Sequence, residues 1–181
     1  MLMKVEEKKN PMRAPDPSEK HTLSVVVDNE PGVLARVIGL FSGRGYNIDS
    51  LTVSETQHDK HVSRITIVTT GAPMVIEQIK SQLARLVPVH RVADLTVGGA
   101  AIERELALVK LIGRGEARVE ALRLAQAFAV KTVDATLESF VFEITGLTEE
   151  IDRFIDLMAA LGKVEVSRTG IAAIARGAEG L

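Results

Sequence analysis

Leu23, Val25 and Val27 alternate with polar or small neighbours, the period of a strand with one buried face. Past Pro31 the apolar period lengthens to about 3.6, with Val33, Val37 and Phe41 on one face and Leu34, Ile38 and Leu40 beside them. This predicts a strand, a tight turn and a helix, with Pro31 at the first helical position, where its missing N–H costs nothing. Gly43 and Gly45 end the helix. Ile48 to Ser54 and Val62 to Thr69 predict a hairpin through Gln57-His58-Asp59-Lys60, and a slip of phase between Ile48 and Leu51 allows a bulge there. Pro73 opens a second helix with Val75, Ile79 and Leu83 inward, joined by Ile76 and Leu86. Pro88 stops it, and Val89 to Val97 closes the unit as a strand with Ala93, Leu95 and Val97 alternating.

The order then repeats. Gly98-Gly99 reads as a hinge or linker, Leu106 to Ile112 as a strand, and Glu116 to Phe128 as a helix striped by Ala117, Ala121, Leu124 and Phe128. Val130 to Ala135 and Phe140 to Thr145 form a second predicted hairpin. Thr148 is the expected N-cap of a helix with Ile151, Ile155 and Met158 inward, Gly162 ends it, and Val164 to Arg168 is the last strand. The fold class is α+β: two tandem ferredoxin-like βαββαβ domains. Residues 1–20, polar and interrupted by Pro11, Pro15 and Pro17, read as a flexible tail, 21–98 as the first domain and 99–181 as the second.

Composition narrows the function. Aromatics make up only 3% of 181 residues, so the cores are aliphatic. With no cysteine, disulfides, thiolate metal sites and a Cys nucleophile are excluded. No apolar run approaches the roughly 20 residues of a bilayer span, and there is no apolar signal segment, which points to the cytoplasm. A net charge of −2 with mixed signs offers no basic face for nucleic acid.

The chemistry concentrates at the first helix start. Backbone N–H groups of Gly32, Val33 and Leu34 carry the positive end of the helix dipole and suit a carboxylate or phosphate, while Gly32 lets a ligand approach closely. Asn29 adds an amide that donates and accepts, matching a ligand with an ammonium beside a carboxylate. The alternative is that Asn29 or Glu30 only caps the helix. Elsewhere, His58 and His61 sit in a polar loop, His90 has no evident partner, Gly113-Arg114-Gly115 lacks the remainder of any phosphate-binding fingerprint, and Glu149-Glu150 is a solvated helix start. No catalytic constellation or metal set emerges.

The segment Asp28-Asn29-Glu30-Pro31-Gly32-Val33-Leu34-Ala35-Arg36-Val37 resembles the ligand turn of ACT domains, which bind amino acids. Its continuation, Ile38 to Phe41 and Ser42-Gly43-Arg44-Gly45-Tyr46-Asn47-Ile48-Asp49-Ser50-Leu51-Thr52-Val53, is similar to the regulatory (small) subunits of acetohydroxyacid synthase, or acetolactate synthase. Arg104-Glu105-Leu106-Ala107-Leu108-Val109-Lys110 and Val164-Glu165-Val166-Ser167-Arg168-Thr169-Gly170 fit the same family, and the likeness runs from about Thr22 to Arg176. The resemblance implies a non-catalytic chain that docks on a separate catalytic subunit, raises its activity and conveys feedback inhibition by valine or a related branched-chain amino acid. Thiamine diphosphate, Mg²⁺ and FAD would all be held by the catalytic subunit, which condenses two 2-keto acids. It also implies a homodimer through side-by-side ACT domains, with Asn29, Gly32, Val33 and Leu34 of one chain and Asn47 and Ile48 of its neighbour around the effector. Pro31 stands where some relatives carry Ser, which leaves the choice among valine, leucine and isoleucine open. A free-standing ACT-type sensor acting on another protein is the rival reading.

Overall fold

The structure, a computed structural model, describes residues 18–97 and 101–178. The expected hinge at Gly98-Gly99 and most of the expected tail lie outside the described residues.

In chain order the first unit comprises β1 (Glu19–Asp28), α1 (Val33–Arg44), β2 (Ser50–Gln57), a 3₁₀ turn (His58–Lys60), β3 (Val62–Gly71), α2 (Pro73–Leu83) and β4 (Val89–Asp94). The second comprises β5 (Ala101–Ile112), α3 (Glu116–Ala127), β6 (Lys131–Ala135), β7 (Ser139–Gly146), α4 (Thr148–Leu161), β8 (Lys163–Arg168) and β9 (Ala172–Ala175). The sheets have the matching antiparallel orders β2-β3-β1-β4 and β6-β7-β5-β8, two ferredoxin-like βαββαβ units. Each packs its helices on one sheet face. Leu23, Val25, Val27, Ile65 and Ile67 meet Val33, Val37 and Phe41 of α1 and Ile76, Ile79 and Leu83 of α2 in one core. In the other, Val109, Leu111, Phe142 and Ile144 meet Ala121 of α3 and Ile151, Phe154 and Met158 of α4.

Several local expectations are corrected. Pro31 precedes the helix: α1 opens at Val33, with Gly32 as its N-cap. The ladder irregularity in β2 falls at Glu55–Gln57, where the hairpin turns, and not between Ile48 and Leu51. β1 already begins at Glu19, inside the expected tail. Thr148 is the first helical residue of α4. The cap is Leu147, whose N–H is accepted by Glu150 Oε2 at 3.0 Å. His90 has a partner after all, Asp28, at 2.6 Å.

The largest departure joins the two units. β5 starts at Ala101, five residues before the expected strand, and β9 was not expected. Residues 107–112 of β5 pair with β8, and residues 101–104 pair with β9. Between these ladders Thr169, Gly170 and Ile171 oppose only Glu105 and Leu106, so β8 and β9 form one strand broken by a bulge. The bulge bends the arm across the helix-free face of the first sheet. There Ile171 and Ala173 bury Val68 and Leu95, with Ala93, Ala101 and Ala175 packed around them. Beneath the arm, Thr22, Ser24 and Thr66, polar positions of the alternating pattern, are buried.

Candidate functional site

The turn after β1 is built by its sequence. Asp28 ends the β1–β3 ladder opposite Val62, and the Asn29 N–H donates to His61 O at 2.6 Å, so the chain leaves the sheet at a fixed point. Gly32 then adopts φ +87°, a left-handed conformation that costs a residue with a Cβ about 1–2 kcal/mol. A Cβ there would meet nothing within 4 Å, so the space above the turn is open.

Neither Asn29 nor Glu30 caps α1. No side chain caps α1, and its first turn holds no acidic residue, so the positive end of the helix is uncompensated. Asn29, Glu30 and Gly32 are exposed. Val33 is spent differently: its side chain is in the core, and its N–H donates to Glu30 O at 3.3 Å, a long bond within the turn. Among the described residues nothing accepts from the N–H of Gly32 or Leu34. The site thus offers two free backbone donors, an exposed amide and the partly exposed Leu34 side chain.

Asn47 and Ile48 lie past the other end of α1, a helix of 12 residues or roughly 18 Å. Within one chain the structure does not bring them to the Asn29–Leu34 turn. Asn47 is held firmly: Nδ2 donates to Asp49 Oδ1 at 2.6 Å, and its carbonyl accepts the Thr69 hydroxyl at 2.6 Å. Thr70 Oγ1 donates to the other Asp49 oxygen at 2.7 Å. Ile48 packs on the first core. His58 lies in the 3₁₀ turn, and His61 follows it with φ +49°. No group of three or more His, Asp or Glu among the described residues is placed to hold a metal ion. No helix among them is long and apolar enough to cross a membrane.

A charged cluster escaped the sequence reading. Arg168 donates to Glu105 through Nε at 2.9 Å and Nη2 at 2.8 Å, and through Nη1 to Asp152 of α4 at 2.6 Å. Thr148 Oγ1 adds a bond to Glu105 at 3.3 Å. The hydrogen bond to Glu105 comes first among the effects that hold the Arg168 pKa above its already high ordinary value, against the opposing effect of burial. The cluster lines a cavity of about 410 Å³ between the units, with Lys20, Asp49 and Ser50 on the opposite side. A signal existed: Glu105 is in phase with inward-facing Ala107 and Val109, and Arg168 with Val164 and Val166.

Residues 23–91, the first βαββαβ unit with its uncapped helix start, match the family model described as the AHAS small subunit-like ACT domain, which makes this unit an ACT domain. Residues 104–177 match the model described as the small subunit of acetolactate synthase. The likeness spans most of this chain and nearly all of its relatives. A probable acetolactate synthase small subunit of Archaeoglobus fulgidus is 44% identical over 158 residues, 87% of this chain and 98% of the relative. The acetolactate synthase isozyme 3 small subunit of Escherichia coli is 43% identical over 159 residues, 87% and 96% of the two chains. The crystal structure of the acetolactate synthase small subunit from Thermotoga maritima superposes with a TM-score of 0.80 at 36% identity, covering 89% of this chain and 99% of that one. The chain belongs to the acetolactate synthase small-subunit family.

Proposed function

We propose that this chain is the non-catalytic regulatory subunit of an acetolactate synthase. It docks on a catalytic subunit that holds thiamine diphosphate, Mg²⁺ and FAD, raises its activity, and conveys feedback inhibition by valine, leucine or isoleucine. The observation that carries the reading is the exposed, uncapped start of α1 in the ACT domain of a small-subunit family member. Two free N–H groups at a helix start suit the carboxylate of an amino acid, the Asn29 side-chain oxygen suits its ammonium, and Leu34 offers an apolar surface to a branched side chain.

The sheet geometry supports a site shared by two chains. Asp28 of β1 and Gln57 of β2 both face Val62 of β3, so these two strand ends are level and about 10 Å apart. The outer edge of β2 is unpaired among the described residues. Two-fold antiparallel pairing of two β2 edges sets the Ser50 end of one strand against the Gln57 end of the other. The neighbour's Asn47 and Ile48 then come to the Asn29–Leu34 turn that their own chain's α1 keeps them from.

The test is thermal unfolding of the purified chain with L-valine, L-leucine, L-isoleucine or L-lysine, paired with acetolactate formation by the chain mixed with its catalytic subunit. At about 100 times its dissociation constant the effector adds about 2.7 kcal/mol to native stability. Asn29→Ala removes the selective stabilisation and the inhibition while activation remains. A chain that neither binds nor activates a thiamine-dependent partner overturns the reading in favour of a sensor for some other protein.

A further inference from the structure

Resting on that reading, we propose that the bulge at Thr169-Gly170-Ile171 carries the effector signal from the ACT domain to the second unit, with Ser50, Thr52 and Gly170 as positioning residues for inhibition. These three residues cross the start of β2. The Ile171 N–H donates to Ser50 Oγ at 3.0 Å, and Thr52 Oγ1 donates to Thr169 O at 3.3 Å. Gly170, at φ +82°, lies so close that a Cβ would stand 2.8 Å from Ser50 Oγ and 2.9 Å from Thr52 Oγ1. Only glycine permits this approach and this backbone conformation together.

The bulge meets β2 three residues after Asn47, where a bound effector acts. Asn47 is tied to Asp49, and Asp49 adjoins Ser50. On the far side the bulge continues the Arg168 cluster. The Thr169 N–H donates to Leu106 O at 3.0 Å, and Arg168 grips Glu105 of β5 and Asp152 of α4. A shift of the Asn47–Ser50 segment therefore pulls on the bulge and, through Arg168, on β5 and α4. The cavity between the units leaves room for that shift. Ser50, Thr52 and Gly170 are half-buried and Thr169 is exposed, so the link rests on the direct Ile171–Ser50 and Thr52–Thr169 hydrogen bonds and on the close approach of Gly170.

The experiment uses the full chain with its catalytic subunit and compares Ser50→Ala, which keeps the backbone path and removes the acceptor of the Ile171 N–H, with Gly170→Ala, which forces the bulge off β2. L-valine, L-leucine and L-isoleucine are each titrated twice, once by calorimetry on the chain alone and once in the activity of the complex. The expected result is a dissociation constant within about twofold of wild type, with the half-inhibitory concentration raised at least about fivefold, the lower end of ordinary allosteric coupling. A seam that only held the fold would lower the melting temperature without separating the two titrations. Inhibition unchanged in a folded Ser50→Ala variant, or binding lost in step with inhibition, overturns the link alone. A wild-type chain that neither binds nor confers inhibition overturns the functional reading and the link with it.

Discussion

Arg168 shows how one residue ties the second unit together. Its side chain is 32% exposed, while that of Glu105 is only 6% exposed, so the carboxylate depends on the guanidinium for most of what water would have supplied. Replacing Arg168 with Met leaves Glu105 buried without its charge partner. We expect a loss of about 2–3 kcal/mol in urea unfolding, toward the lower end for a broken buried pair because Arg168 itself reaches solvent. The double variant Arg168→Met, Glu105→Leu should recover most of that loss, since the cost lies in the orphaned charge. The pH behaviour follows from the sign. The folded pKa of Arg168 is raised, so its stabilisation is complete below the ordinary arginine value and is lost only as pH rises through the higher folded one. Between pH 6 and 9 the Arg168 contribution is constant.

At the scale of elements, the β5–β9 arm decides which face of the first sheet is wet. Ile171 is 4% exposed and fills the centre of the contact between Val68 and Leu95. Ile171→Ala should cost about 2–4 kcal/mol, measured as a lower midpoint in guanidinium unfolding, because a rigid strand cannot collapse into the space left. The arm was illegible in the sequence for a physical reason. Ala172-Ala173-Ile174-Ala175 is too short and too alanine-rich to announce a strand, and alanine is needed there so that two backbone layers approach closely. For the same reason Thr22, Ser24 and Thr66 read as a solvated face, although small hydroxyl-bearing side chains also fit under a close-packed arm. The helices were plainer. Ile76, Ile79, Leu83, Ile151 and Met158 fall at helical spacing and are all buried.

At the scale of the whole molecule, the proposed site is complete only in a pair of chains. Val53 sits in the open β2 edge, 43% exposed. Two-fold pairing of that edge brings Val53 near its counterpart, and Val53→Lys places like charges across the joint. Sedimentation should show the variant shifted from dimer to monomer, with the amino-acid stabilisation lost although Asn29 and Gly32 are untouched. A variant that stays dimeric and keeps its ligand response moves the shared site away from this edge.

The sequence by itself determined the two βαββαβ units, their helix faces and the turn at Asn29–Leu34, because these follow from local period, proline and glycine placement and the donors every helix start exposes. Tertiary structure decided what depends on residues far apart in the chain. It decided that α1 opens at Val33 behind Gly32 rather than at Pro31, and that the Val33 N–H is taken inside the turn. It also decided that the strand after Arg168 bulges at Gly170 and lies on Ser50, more than a hundred residues away. A bulge is set by the misfit of two paired strands, and a seam by the shapes of two sheets, and neither is written in the period of one segment.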